Sequence, residues 1–184
     1  MMEELRVRFI AAGEDSLYPP VLSTLRVMRV TSGGDDDRLY MQAATEEAKL
    51  SLNEGGIPIG GAVLVRDGGV ILSRGGHNRR VQDDDPLMHA EINCIRNAGR
   101  IGRYGNTVLY STLMPCYLCA GAVVQFGIPK VVVGGESASF AGAEDFLREK
   151  GVRVVDLNLP GLTEMMAGYI ERHADIWNED IGAL

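Results

Sequence analysis

The sequence predicts an α/β protein in which a mixed five-stranded sheet lies between two layers of helices, a three-layer α/β/α sandwich. Three observations support this prediction. Two β-branched, apolar runs are joined by an Asp-Gly turn, which is typical of an antiparallel hairpin. Predicted helices and strands then alternate, as they do where strands are connected across a sheet that is covered on both faces. The chain has 184 residues, 46% of them hydrophobic, so it can bury such a core without disulfides.

The elements follow in order along the chain. Apolar residues at helical spacing from Met41 to Leu52 predict the first helix, and Gly55-Gly56 ends it. The hairpin joins strands at 59–65 and 70–73 through the turn Arg66-Asp67-Gly68-Gly69. The remaining segments alternate: helix 89–98, strand 107–112, helix 115–126, strand 130–133, helix 143–150, strand 152–156, and a helical tail over 162–181 with a break near 173–175.

Residues 1–37 differ from the rest of the chain. They contain a Tyr18-Pro19-Pro20 break and end in Gly33-Gly34-Asp35-Asp36-Asp37, a composition typical of a linker. Apolar residues between these points have no clear period. We therefore predict an N-terminal extension and linker over 1–37 and a folded domain over 38–184. The extension is expected to be a variable segment or the product of a misassigned translation start; the alternative is a strand or arm that docks on a partner subunit.

The charge and cysteine content narrow the class of protein. The net charge is −7, so the chain is predicted to be a poor general binder of nucleic acid or of an anionic membrane. It has no apolar run of about 18 residues for a membrane-spanning helix, and its first residues lack a secretory signal pattern. Three cysteines, two of them in a Cys-x-x-Cys pair, indicate a reducing compartment. We therefore expect a cytoplasmic protein.

Two short motifs carry the predicted chemistry. They are His89-Ala90-Glu91 and Pro115-Cys116-Tyr117-Leu118-Cys119, and each is predicted to begin a helix. Cys116 and Cys119 stand three positions apart in a first helical turn, so both sulfurs can lie on one face. The partial positive charge at a helix N-terminus lowers a thiol pKa and favours the thiolate, which is the form that binds zinc. With a neutral His89 as third ligand, the motifs predict a zinc site.

Three protein ligands leave one position of a tetrahedral site open, as in catalytic zinc sites, whereas structural sites are closed by four ligands. Cys94 follows His89 by five positions, about 140° around a helix, so we expect it to point elsewhere as a small buried residue. Glu91 is placed to take a proton from a metal-activated water and pass it to a leaving group. A non-catalytic zinc module and a dithiol redox centre at the Cys-x-x-Cys pair are the alternatives from other functional classes.

The ordered pair of motifs resembles the signature of zinc-dependent nucleobase deaminases. The chain over 38–184 resembles the cytidine/deoxycytidylate deaminase superfamily, and within it the fungal-type free-base cytosine deaminases. This likeness implies the cytidine deaminase-like form of the three-layer sandwich. The stretches that carry it, besides the zinc motifs, are Gly55–Gly61, Gly76-His77-Asn78, Thr112–Cys116 and Trp177–Gly182.

The resemblance implies a role for each matched residue. The ligands of the zinc ion (Zn2+) would be His89, Cys116 and Cys119, and Glu91 would shuttle protons. The Asn78 side chain and the backbone N–H of Ala90 would donate to the carbonyl of the base. The Asp180 carboxylate would accept from a ring N–H, and the backbone carbonyl of Met114 would accept from the departing amino group. The apolar walls and lid would be Ile59, Phe140 and Trp177.

The reaction implied by the resemblance is hydrolytic deamination of a free base, cytosine to uracil and ammonia, carried out by a homodimer. Among the departures from the fungal-type pattern, which include Ala90 in place of a glycine and the N-terminal extension, two bear most on the substrate. Met114 stands where a serine is expected, and Asp83-Asp84-Asp85 makes the segment before the first motif unusually acidic. They leave another small amino-heterocycle open as substrate: isocytosine, a triazine, creatinine or guanine. A tRNA adenosine deaminase is a further alternative, which the negative net charge and the Trp177/Asp180 lid disfavour.

Overall fold

The computed structural model describes residues 33–58, 62–76, 82–135 and 141–182. Within these ranges the strands are β1 (Ala62–Arg66), β2 (Val70–Gly75), β3 (Thr107–Leu113), β4 (Lys130–Gly135) and β5 (Arg153–Asp156). The helices are α1 (Gly33–Asn53), α2 (Ala90–Ala98), α3 (Tyr117–Phe126), α4 (Ala141–Glu149), α5 (Pro160–Arg172) and α6 (Ala174–Asp180). In the same ranges, no helix is both long enough and apolar enough to cross a lipid bilayer.

The described strands form one mixed sheet in the order β2-β1-β3-β4-β5. β1 pairs antiparallel with both β2 and β3, whereas β3, β4 and β5 run parallel to one another. The hairpin between β1 and β2 turns at Gly68 and Gly69, which both have positive φ angles that favour glycine. The predicted hairpin and the mixed five-stranded sheet are therefore confirmed.

Two apolar clusters cover the two faces of the sheet. On one face, α2, α3 and α4 pack on residues such as Leu64, Leu109 and Val131. On the other face, α1 and Leu162 of α5 pack on Val63, Tyr110 and the strands beside them. Alternate residues of each strand thus supply the two cores. The result is the predicted three-layer α/β/α sandwich.

The start of α1 corrects one sequence prediction. The segment Gly33–Asp37, predicted as a linker, forms the first turns of this 21-residue helix. Asp37 is buried, and its carboxylate accepts hydrogen bonds of 2.8 Å from the Lys130 ammonium group and from the Tyr110 hydroxyl. The ion pair fastens the beginning of α1 to the amino end of β4, so the folded domain begins before residue 38. The extension over 1–32 lies outside the described residues.

A third, smaller apolar cluster positions the C-terminal helices. It contains Leu113 at the carboxyl end of β3, Met166 and Tyr169 of α5, and Trp177 of α6. His173 separates the two helices, close to the break predicted at 173–175. Through this cluster α6 is held at the carboxyl end of β3, the edge of the sheet where the zinc motifs lie.

Candidate metal centre and active site

Two helix N-termini meet at the carboxyl edge of the sheet. His89 is the N-cap residue of α2 and Cys116 is the N-cap residue of α3, and both have extended backbone angles. Neither side chain caps its own helix, and the imidazole of His89 lies against the thiol of Cys116 instead. Cys116 comes only three residues after the end of β3, and this short connection fixes its place above the central strands.

The three predicted ligands lie together. The donor atoms of His89, Cys116 and Cys119 are all within 4.8 Å of one another, and the His89 Nδ1 to Cys116 Sγ distance is 3.4 Å. One imidazole and two thiol groups are a donor set that zinc prefers, with bonds of about 2.0–2.3 Å. Donors at this spacing can close on one ion with small side-chain movements. The residues therefore fit a zinc ion held by three protein ligands.

Cys94 lies apart from this group. It is fully buried, and its sulfur lies 3.2 Å from the hydroxyl of Ser73 on β2. Burial raises its pKa from 9.0 to about 12, so the thiol stays protonated at neutral pH. Cys94 is the small buried residue that the sequence predicts.

The two clustered thiols have opposite pKa shifts. The polar contact with the Cys119 side chain lowers the pKa of Cys116 to about 4, against the opposing effect of burial, and His89 assists. The same contact raises the pKa of Cys119, together with burial and the nearby Glu91 charge. Burial lowers the pKa of His89, but the contact with Cys116 and the charge of Asp180 outweigh it and raise the pKa. The site therefore favours the thiolate form of Cys116, which is the form of cysteine that binds zinc.

Glu91 lies in the first turn of α2 and is almost fully buried. The hydroxyl of Ser111 donates to its Oε1 at 3.0 Å, and the thiol of Cys119 donates to its Oε2 at 3.3 Å. The carboxylate therefore lies beside one of the metal donors. From this place it can exchange a proton with a molecule bound at the open position.

Asp180 and Trp177 bring α6 to the same place. Oδ1 of Asp180 lies 3.8 Å from Nε2 of His89, and the Asp180 side chain is only 4% exposed. Trp177 is 5% exposed within the third apolar cluster. A ligating histidine is commonly oriented by a carboxylate near its second ring nitrogen. Glu91 and Asp180 thus bring two carboxylates to the metal donors.

The other predicted contacts divide into two groups. Ala90 and Met114 are described and buried, and the Met114 side chain, 1% exposed, belongs to the core cluster under α2, α3 and α4. The larger side chain that stands in place of the expected serine therefore packs in the core. Ile59, Asn78 and Phe140 lie outside the described residues.

Ser111 is a site residue that sequence reasoning missed. It is fully buried on β3, and it faces the same side of the sheet as Leu109, two positions earlier. A small polar residue on the buried face of a strand that runs into a Pro-Cys motif was the available signal. Its partner Glu91 is 20 positions away, so only the folded sheet brings the two together.

Residues 35–135 match the family model described as the cytidine and deoxycytidylate deaminase zinc-binding region. The matched span contains His89, Glu91, Cys116 and Cys119. Asp180 and Trp177 lie beyond it.

Similar proteins and a solved structure extend the comparison. A cytosine deaminase of Candida albicans is 42% identical over 149 residues, which cover 80% of this chain and 97% of that protein. A tRNA-specific adenosine deaminase of Streptococcus pyogenes is 37% identical over 115 residues, 60% of this chain and 69% of that protein. The structure of a guanine deaminase of Nitrosomonas europaea shares the fold, with a TM-score of 0.60 at 20% identity, over 70% of this chain and 81% of that one.

Proposed function

The chain belongs to the zinc-binding cytidine and deoxycytidylate deaminase family, and we propose that it converts free cytosine and water to uracil and ammonia. As a family member it is a zinc-dependent hydrolase that acts on C–N bonds. What we propose beyond this is the base, the residues that bind it and the assembly that carries the reaction.

The observation that carries the proposal is the pair of buried carboxylates at the metal donors. Asp180 lies 3.8 Å from His89 and Glu91 lies 3.3 Å from Cys119, and both side chains are nearly inaccessible to solvent. A small neutral ring with an amino group and a ring N–H can satisfy such carboxylates with hydrogen bonds. A phosphate chain close to them would be repelled. The likeness to the Candida albicans cytosine deaminase, which spans 80% of this chain, favours cytosine among such rings.

The proposed reaction uses few side chains. A zinc ion at His89, Cys116 and Cys119 would lower the pKa of a bound water so that a nucleophile is available near neutral pH. Glu91 would take one proton from this water and deliver it to the ring nitrogen. It would then take the second proton from the added hydroxyl group and deliver it to the amine, so that the C–N bond breaks, ammonia leaves and the hydroxyl becomes the ring carbonyl. Burial of Glu91 excludes bulk water, so the proton stays between the carboxylate and the substrate.

The remaining predicted residues would hold the base. In this proposal Asn78 and the N–H of Ala90 bind the ring carbonyl, while Asp180 accepts from a ring N–H. The carbonyl of Met114 receives the leaving amino group. Apolar contact with both ring faces would come from Ile59, Phe140 and Trp177.

The test is ammonia release by zinc-loaded protein from a panel of bases. The panel contains cytosine, 5-fluorocytosine, isocytosine, an aminotriazine, creatinine, guanine and adenine. Glu91→Gln is the matched control, because the amide keeps the size of the side chain but cannot carry the proton. We expect turnover of cytosine that is lost in Glu91→Gln at unchanged zinc content.

Other results would redirect the proposal. Turnover of a different base with silence on cytosine would keep the chemistry and refute the substrate. Zinc binding without turnover of any base would favour the RNA or non-catalytic alternative. A tRNA-binding measurement at about 0.15 M salt separates these two alternatives. Strong binding would favour the RNA alternative, and weak binding, which the negative net charge predicts, would favour the non-catalytic one.

We also propose a homodimer built on α3. Tyr117, Leu118 and Phe126 expose large apolar side chains on this helix, and a helix that is apolar on its outer side favours contact with a second subunit. Sedimentation of the wild type should give twice the chain mass, and Leu118→Glu should shift it toward the monomer. A monomeric wild type would refute this part of the proposal.

A further inference from the structure

Ser111 makes the most direct contact with Glu91 outside the metal donors. Its hydroxyl lies 3.0 Å from Oε1, and neither residue is accessible to bulk water. A hydrogen bond to a buried carboxylate is worth more than one between neutral groups, because the charge strengthens it. Water cannot replace the hydroxyl there. The contact therefore restrains the carboxylate directly.

The backbone of Ser111 is held on both sides. It pairs with Ala62 on β1 and with Val133 on β4, so it lies in the middle of the sheet. A side chain on a central strand has little freedom to follow a moving partner. Ser111 thus holds Oε1 from a fixed point under α2.

The two oxygens of the Glu91 carboxylate have different neighbours. Oε1 accepts from Ser111 on the central strand, whereas Oε2 lies 3.3 Å from the sulfur of Cys119, one of the three candidate metal donors. Ser111 therefore holds one oxygen while the other is directed toward the donors.

We propose that Ser111 is a positioning residue, which orients Glu91 so that Oε2 faces the reacting molecule and Oε1 does not. The inference rests on the proposed function, since it assigns Glu91 the proton transfers. A carboxylate that rotates freely would spend part of its time turned away, and positioning of a catalytic group has a large effect on rate.

The test compares four variants. Ser111→Ala removes the hydroxyl, while Ser111→Thr and Ser111→Val have equal size and differ only in the hydroxyl. Ser73→Ala is the matched control, because Ser73 is a buried serine of the same sheet whose hydroxyl faces Cys94 and not Glu91. We expect Ser111→Ala to lower kcat about 10- to 100-fold with KM nearly unchanged. Threonine should restore most of the rate, valine should not, and Ser73→Ala should keep it.

A double variant shows whether Ser111 acts through Glu91. In a Glu91→Gln background, Ser111→Ala should cause less than a twofold further loss, because there is no carboxylate left to orient. A full additional loss, or equal rates for the threonine and valine variants, would overturn the proposal. Zinc content and melting temperature, measured in parallel, identify a purely structural effect.

A crystallographic comparison separates this inference from the proposed substrate. In zinc-loaded Ser111→Ala the Glu91 side chain should occupy a second rotamer or lose order, while His89, Cys116 and Cys119 stay in place. An unmoved Glu91 would refute the positioning role whichever base is the substrate. A wild type that is inactive on every base, with Glu91 displaced in the variant, would refute the proposed function and keep the positioning role.

Discussion

Substituting Gly75 by alanine should displace α2, and with it the α2 half of the candidate metal centre. Gly75 ends β2, directly against the backbone of α2. A β-carbon built there lies 2.4 Å from the backbone N of Cys94 and 2.5 Å from the carbonyl O of Ala90. Ordinary van der Waals contact begins at 3.4 Å, so strand and helix must separate by about 1 Å. Both contacts are backbone atoms, which cannot rotate away.

The separation acts on the residues that α2 carries. His89 and Glu91 flank Ala90, whereas Cys116 and Cys119 belong to α3, so the shift changes the distance between the two halves of the site. A misplacement of 1 Å costs about 100-fold in rate. Overpacking of this kind also lowers the free energy of unfolding by about 1–3 kcal/mol. For a chain of this size the melting temperature should fall by about 2–12 °C.

The assay measures kcat on the base that the panel identifies, together with zinc content and melting temperature. Gly161→Ala is the matched control, since no atom lies within 4 Å of its built β-carbon on α5. It should keep full activity and gain about 0.4–1 kcal/mol of stability. Should Gly75→Ala keep its rate within twofold and its melting temperature within about 1 °C, the argument from close approach is refuted.

Three further outcomes are expected. Asp37→Ala, which leaves the Lys130 ammonium without its partner, should lower the free energy of unfolding in urea by about 3 kcal/mol, and a change below about 0.5 kcal/mol would contradict the role assigned to this ion pair. Burial raises the pKa of Cys94 from 9.0 to about 12, so its stabilising effect is complete below pH 9 and is lost as the pH rises toward 12. Wild-type stability should therefore fall more steeply than that of Cys94→Ala between pH 9 and 11, by up to about 1.4 kcal/mol per pH unit, and parallel curves would refute this. Chelation should abolish the activity of the wild type and lower its melting temperature, and both should recover when zinc is added. Cys116→Ala should not recover its activity on addition of zinc. An equal wild-type melting temperature with and without zinc would contradict a metal centre at this place.

Periodicity predicted the elements of the fold because alternating burial leaves a direct trace in the sequence. The hairpin glycines fall where positive φ angles favour glycine. The linker prediction at Gly33–Asp37 was wrong for a different reason. A run of glycine and aspartate has the composition of a solvated segment, but Asp37 is neutralised by Lys130, 93 positions later. No local pattern contains such a pairing.

The candidate site divides in the same way. The zinc donors were predictable, since residue type and position at a helix start determine their chemistry. Asp180 was reached only through the resemblance, because an acidic residue late in a chain has no local mark of burial. Ser111 was missed, since its partner depends on the register of β3 beneath α2. All the contacts expected with the base, from Asn78, Ala90, Met114, Asp180, Ile59, Phe140 and Trp177, stay predictions.

The position of α6 has a practical consequence for handling the protein. Asp180 ends that helix, with its carboxylate 3.8 Å from the imidazole of His89. At about 3.8 Å per residue, residue 182 lies within about 15 Å of the His89 imidazole. An affinity tag or fused reporter attached there would begin beside the candidate metal donors, so we expect it to disturb zinc loading. The first turns of α1 pair through Asp37 with Lys130 at the opposite end of the sheet, so a label placed on those turns should leave zinc loading unchanged.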